Sequence, residues 1–209
     1  MVMKKIKSVC VYCASSSKIK PSYFEAADEL GRLLAQNDMR CVCGAGNQGL
    51  MGTLADSVLD NGGEVLGVIP QFMINEGWCH KGLTQTIVTA DMHERKERMA
   101  QEADAVIALP GGCGTMEELI EIITWKQLGL FLNPIVILNI DGYYDPLITM
   151  LHNAIAENFM REEHARMWQV AQTPREAIEL VQTAPVWDKN IRKIDHLDDL
   201  HHTVELFLD

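Results

Sequence analysis

The chain reads as an α/β protein: a doubly wound (Rossmann-like), mostly parallel sheet with helices on both faces. Three observations predict this class. Short runs rich in Val, Ile and Cys alternate with longer amphipathic runs along most of the sequence. The short runs are apolar throughout rather than at every second position, as strands covered on both faces must be. Two glycine-rich turns, at residues 44–49 and 110–114, each fall between a short run and a long one, where such folds place their ligand-binding loops.

The strands expected are residues 8–14, 40–43, 65–69, 105–109 and 135–140, with 86–88 as a sixth. Helices are expected over 21–36, 50–61, 91–102, 116–128 and 145–158. A further one covers 174–182, with Thr173 as N-cap and Pro174 at the first helical position, where a missing N–H costs nothing. Alternation at this spacing implies right-handed βαβ units, so residues 14–20, 44–49, 70–82 and 110–114 should share one edge of the sheet. With 209 residues, 47% of them hydrophobic, the chain is expected to form one domain over residues 1–184. The tail, residues 185–209, ends in Val204-Glu-Leu-Phe-Leu208, which could dock as a short helix or edge strand. Its role is not legible.

Several function classes are disfavoured. No apolar run approaches the ~18–20 residues needed to span a bilayer. Basic residues near the N-terminus resemble the start of a signal peptide, but the apolar stretch that follows is short and ends at Ser15-Ser16-Ser17. A cytoplasmic protein with no membrane partner is therefore expected. Of the six cysteines, Cys10 and Cys13 lie three apart in a strand and must face opposite ways, while Cys41 and Cys43 share a face without a second pair. His93-Glu-Arg-Lys-Glu97 lacks the second histidine of a zinc site. Reduced, buried thiols and no metal are the expectation. A net charge of −11 argues against nucleic-acid binding. An anionic small substrate would have to be held by local dipoles and a few placed cations.

Gly44-Ala-Gly46-Asn-Gln-Gly49 has the G-x-G-x-x-G spacing, but it follows the second strand, and Glu64 precedes the third strand at the wrong end to reach a ribose. A dinucleotide cofactor is disfavoured. Either the loop's amides approach a phosphate or sugar, or it is a tight turn. The second loop is more specific. Pro110-Gly-Gly-Cys-Gly114 follows a strand and its glycines permit positive φ. Thr115 then opens a helix, so successive N–H groups and the Thr115 hydroxyl form an anion nest at a positive helix end. Glu118 lies one turn on, and Thr-x-x-Glu is equally the spacing of a capping box. The preceding helix carries Met92, Arg95, Lys96 and Met99 on one stripe, two cations between two apolar side chains, while Glu94, Glu97 and Arg98 read as a solvated face.

At Pro110–Glu118, preceded by Met92-His-Glu-Arg95-Lys96, the chain resembles the LOG ("Lonely guy") family, once labelled lysine decarboxylases. The likeness runs from about Ser8 to Val181 and takes in Ser15-Ser16, Gly49-Leu-Met-Gly52, Thr124-Trp125-Lys-Gln-Leu-Gly129 and Gly142-Tyr-Tyr-Asp145. It implies hydrolysis of the N-glycosidic bond of a nucleoside 5′-monophosphate, a cytokinin riboside 5′-monophosphate or AMP, to free base and ribose 5-phosphate. By resemblance, Arg95 and Glu118 are catalytic. Ser15, Gly46, Met92, Lys96, Gly111, Gly112, Gly114, Thr115, Glu117 and Thr124 bind substrate, and no cofactor is needed. A homodimer built on central helices, with a composite site, is also implied. Cys113 departs from the family's frequent aromatic at that position. The alternative is a nucleotide- or cofactor-binding carrier without hydrolysis, since molybdenum-cofactor carriers resemble this fold; a pure binder would not require both Arg95 and Glu118.

Overall fold

In the computed structural model, which describes residues 5–185 together with 187 and 188, one sheet carries seven parallel strands. These are β1 (Ser8–Tyr12), β2 (Arg40–Cys43), β3 (Val65–Pro70), β4 (Gln85–Thr89), β5 (Ala105–Ala108), β6 (Ile135–Leu138) and β7 (Gln169–Ala171). The helices are α1 (Pro21–Gln36), α2 (Gly49–Asp60), the short α3 (Gln71–Asn75), α4 (Met92–Gln101), α5 (Cys113–Gln127), α6 (Asp145–Ala156) and α7 (Pro174–Thr183). The spatial order is β4-β3-β2-β1-β5-β6-β7. The chain winds from β1 to one edge and restarts beside β1 with β5, which is the double winding expected. The turn-back lies between β1 and β5, and the loops after both strands open there.

Side-chain alternation divides the core in two. Val9, Val11 and Cys13 face a layer built with α1, α2 and α7, through Leu30, Leu34, Leu54 and Ile178. Cys10 and Tyr12 face the opposite layer, where Met99 of α4, Leu119 and Ile122 of α5 and Leu151 of α6 pack. Cys10 and Cys13 thus point apart, as their spacing requires. All six cysteines are free. Cys10, Cys13, Cys41 and Cys43 are buried as expected, but Cys79, in the loop before β4, is half-buried, and Cys113, the first residue of α5, is exposed.

Three local features differ from the sequence expectation. Strand β7 was not anticipated; three residues opening with Gln169 at a sheet edge carry too little apolar pattern to register. The segment expected as loop 70–82 contains α3. Helix α5 starts at Cys113, earlier than the predicted 116, with consequences for the site. At the other boundaries the fit is close. Thr173 Oγ1 accepts from Glu176 N at 3.2 Å, capping α7 as its Thr-Pro start requires. Trp187 is buried in the second core layer, with Lys126 Nζ 5.8 Å from its ring centroid. The docking expected of Val204-Glu-Leu-Phe-Leu208 lies outside the described residues. No described helix is long and apolar enough to cross a membrane.

Candidate active site

The loop after β5 is built for close backbone approach. Gly112 is the N-cap of α5, with φ −83° and ψ −158° and no side-chain cap. The first amides of the helix, those of Cys113, Gly114 and Thr115, precede any i→i−4 acceptor and carry the positive end of the helix dipole. Gly111, Gly112 and Gly114 all have negative φ, so the positive φ expected of them is not used. Gly111 is required for space instead: a Cβ there would collide with the Thr115 side chain, which packs directly on it. Because the helix opens before Thr115, Thr115 lies inside its first turn and is no N-cap. The capping-box alternative fails at this point, and the Glu118 carboxylate turns elsewhere.

It turns to Arg95. Arg95 Nη1 donates to Glu118 Oε1 at 3.0 Å, with both side chains nearly buried. The rest of the guanidinium is fixed by backbone: Nε donates to Val68 O at 3.0 Å and Nη2 to Gly44 O at 3.3 Å. Gly44, the first glycine of the G-x-G-x-x-G loop, has its own reason to be glycine. A Cβ at that position would occupy the space of the Arg95 guanidinium. Burial raises the Glu118 carboxyl above the ordinary glutamate range, and the Arg95 charge only partly offsets this.

Lys96, beside Arg95 on the same stripe, makes different contacts. Its ammonium donates to Glu117 Oε1 and, at 3.1 Å, to Glu121 Oε1 on α5. Burial alone would lower Lys96, yet these two bonds carry it above the ordinary lysine value. The predicted stripe is therefore real for Arg95, Lys96 and Met99, all buried, but Met92 at its end is exposed.

A cavity of about 500 Å³ opens between the loops after β1, β2, β3 and β5. It brings together Ser15, Gly46, Arg95, Gly112, Gly114, Thr115 and Glu118 from the predicted set. Met92, Lys96, Gly111, Glu117 and Thr124 are not in its lining, and the Thr124 hydroxyl donates to Ile120 O at 2.8 Å. The opposite wall comes from the loops expected on this edge, 44–49 and 70–82, and from α2, through Asn47, Met51, Met73 and Trp78, none of which was singled out as a site residue. Nor was the scaffold under the glycine loop. Tyr143 Oη donates to Gly111 O at 2.5 Å and Tyr144 Oη to Leu109 O at 2.7 Å, so two carbonyls of the loop are fixed by tyrosine hydroxyls. The adjacent Tyr143-Tyr144 ahead of α6 was the available signal. Among the described residues, no three His, Cys, Asp or Glu side chains converge as metal ligands.

Fold and site define a Rossmann-like protein in which a helix N-terminus and a buried Arg–Glu pair face one cavity. Residues 51–181 match the family described as "Possible lysine decarboxylase". The chain is 41% identical to cytokinin riboside 5′-monophosphate phosphoribohydrolase LOG7 of Arabidopsis thaliana over 201 residues, 95% of this chain and 93% of that one. It is 41% identical to the LOG protein of the same description from Oryza sativa subsp. japonica, covering 88% of this chain and 79% of that one. The chain belongs to this LOG family. Among solved structures, the molybdenum cofactor binding protein of Rippkaea orientalis superposes with a TM-score of 0.65 at 22% identity, covering 86% of this chain and 97% of that one. The molybdenum cofactor carrier protein of Chlamydomonas reinhardtii gives 0.66 at 19%, covering 86% and 98%. At such identities the likeness concerns the fold alone.

If Gly44 is glycine to admit Arg95, Gly44→Ala should destabilise the chain by about 1–3 kcal/mol in urea unfolding. Most of that cost should vanish in an Arg95→Ala background, where the clash has no partner. Additive costs would contradict the packing argument.

Proposed function

We propose that this protein hydrolyses the N-glycosidic bond of a nucleoside 5′-monophosphate, a cytokinin riboside 5′-monophosphate or AMP, releasing free base and ribose 5-phosphate. The observation that carries the reading is the Arg95–Glu118 pair lining the same cavity as the amides that open α5. The activity named for relatives about 40% identical over most of the chain supports it.

In this reading the amides at Cys113, Gly114 and Thr115 anchor the 5′-phosphate at the positive end of α5. That remote contact fixes the ribose, so its binding energy is used to position C1′. As the C1′–N bond breaks, the base leaves with the bonding electron pair and C1′ develops oxocarbenium-like charge. Glu118 stabilises that charge or takes a proton from the water whose oxygen bonds to C1′. Arg95 engages one carboxylate oxygen, Oε1, which leaves Oε2 for this work. A carrier that only bound nucleotide would gain nothing from an ionisable group held in so costly an environment.

We also propose that the functional unit is a homodimer formed through the outer faces of α4 and α5. Exposed Met92 and Ile120 lie there, and so do Glu117 and Thr124, predicted binding residues outside the cavity. Sedimentation should give twice the chain mass, and a monomer at micromolar concentration would refute the pairing.

Incubation with AMP and with an N6-substituted adenosine monophosphate should release free base, and Glu118→Gln should lower kcat/KM by about 10²-fold or more. Because the working carboxylate is ionised and burial raises its pKa, kcat/KM should fall as pH drops through a value above the ordinary glutamate range. Turnover that survives in Glu118→Gln would remove this residue from the chemistry.

A further inference from the structure

The turn between β6 and α6, residues 139–145, has no part in the chemistry described, yet it is built under strain and ends against the glycine loop. Asp141 has a φ of 53° and Gly142 one of 71°, two consecutive residues in the left-handed region. A residue with a side chain adopts that region at a cost, and the strain persists only where surrounding contacts over-determine it. Those contacts are present. From the start of α1, Ser22 Oγ donates to Asp141 Oδ2 at 2.8 Å, and Lys20 Nζ lies 4.0 Å from the same oxygen. From within the turn, buried Asn139 accepts from Tyr144 N at 2.7 Å and donates to Asp145 Oδ1 at 2.7 Å. Tyr143 then stands edge-on to two rings, Tyr23 of α1 at 5.8 Å between centroids and Tyr144 at 5.0 Å. Strain, anchors and ring packing together fix the Tyr143 hydroxyl, which donates to Gly111 O at 2.5 Å.

The consequence of that bond follows from peptide geometry. The Gly111–Gly112 peptide is trans, so the Gly111 carbonyl and the Gly112 N–H lie in one plane and point in opposite directions. A bond that fixes Gly111 O therefore fixes the Gly112 N–H as well. This amide points away from the Tyr143 hydroxyl, and Gly112 lines the cavity while Tyr143 does not. The Gly112 N–H has no acceptor among the described residues, and it directly precedes the amides that open α5. A peptide between two glycines has the widest rotational freedom in the loop, so its direction must be set from outside. Tyr144 provides the contrast. It makes the same kind of bond, 2.7 Å to Leu109 O, but the next residue is Pro110, which carries no N–H. Tyr144 steadies the loop, whereas Tyr143 steadies it and aims a donor.

We propose that Tyr143 is a positioning residue for the 5′-phosphate: through the Gly111–Gly112 peptide it aims the Gly112 N–H, a fourth donor beside the amides of Cys113, Gly114 and Thr115. The proposal rests on the nucleoside-monophosphate reading given above. The test is equilibrium binding of ribose 5-phosphate, AMP and adenosine to the parent, Tyr143→Phe and Tyr144→Phe. Tyr143→Phe keeps the ring contacts with Tyr23 and Tyr144, and urea unfolding checks that each variant is folded. Tyr143→Phe should weaken ribose 5-phosphate and AMP about tenfold, the scale of one hydrogen bond to a charged group, and leave adenosine as in the parent. Tyr144→Phe should lower the urea midpoint but keep the parent's ratio of AMP to adenosine affinity. Three results would overturn the role of Tyr143: unchanged binding of the phosphate ligands, equal weakening of AMP and adenosine, or the same selective loss in Tyr144→Phe. Binding is read without turnover, so a parent that binds AMP but releases no base counts against hydrolysis alone. A parent that binds neither AMP nor ribose 5-phosphate would refute the phosphate nest, and this proposal with it.

Discussion

The rest of the site depends on one contact, the buried hydrogen bond from Arg95 Nη1 to Glu118 Oε1. Burial raises the Glu118 carboxyl above the ordinary glutamate range, and a guanidinium at contact distance offsets that shift only in part. The fold accommodates the pair through specific omissions. Gly44 lacks the side chain that would displace Arg95, and the β3 and β2 backbones contribute Val68 O and Gly44 O as further acceptors. Two neighbouring backbone segments and α5 are thereby committed to one arginine. The Lys96–Glu117–Glu121 contacts bind α4 to α5 beside the pair, so the two helices that carry it are held in register by a second set of charges.

The double winding converts this local arrangement into a site. Because β1 and β5 are neighbours whose following loops diverge, the helix opening at Cys113 faces the loop after β1, and the Gly44–Gly49 loop borders the other side. Tyr143 and Tyr144 fix the carbonyls of Gly111 and Leu109 through their hydroxyls. The apolar end is then shaped by a segment with no strand of its own, clamped by Asn47 and His80.

Much of this was legible in the sequence, for identifiable reasons. Strands buried on both faces leave continuous apolar runs, so β1, β2 and β3 were plain, and helix α1 was bounded correctly by Pro21 at its start and Asn37 at its end. The stripe holding Arg95 and Lys96 was visible as a helical period. What escaped depended on contacts distant in sequence. Thr115 and Gly112 are both acceptable caps; only the packing of Thr115 on Gly111 decides for Gly112, and with it the fate of Glu118. Trp78 looked like one residue in a loop, because Asn47, whose N–H its carbonyl accepts, lies after a different strand. Strand β7 was too short and too polar at its start to signal itself.

Burial, opposed but not overcome by Arg95, is held here to govern the charge on Glu118. Carbon-detected NMR titration of the Glu118 side-chain carboxyl measures this directly. The account predicts a midpoint above the ordinary glutamate range, moving higher still in Arg95→Met as the opposing charge is lost. A midpoint within or below that range, or one that Arg95→Met leaves in place, would contradict it.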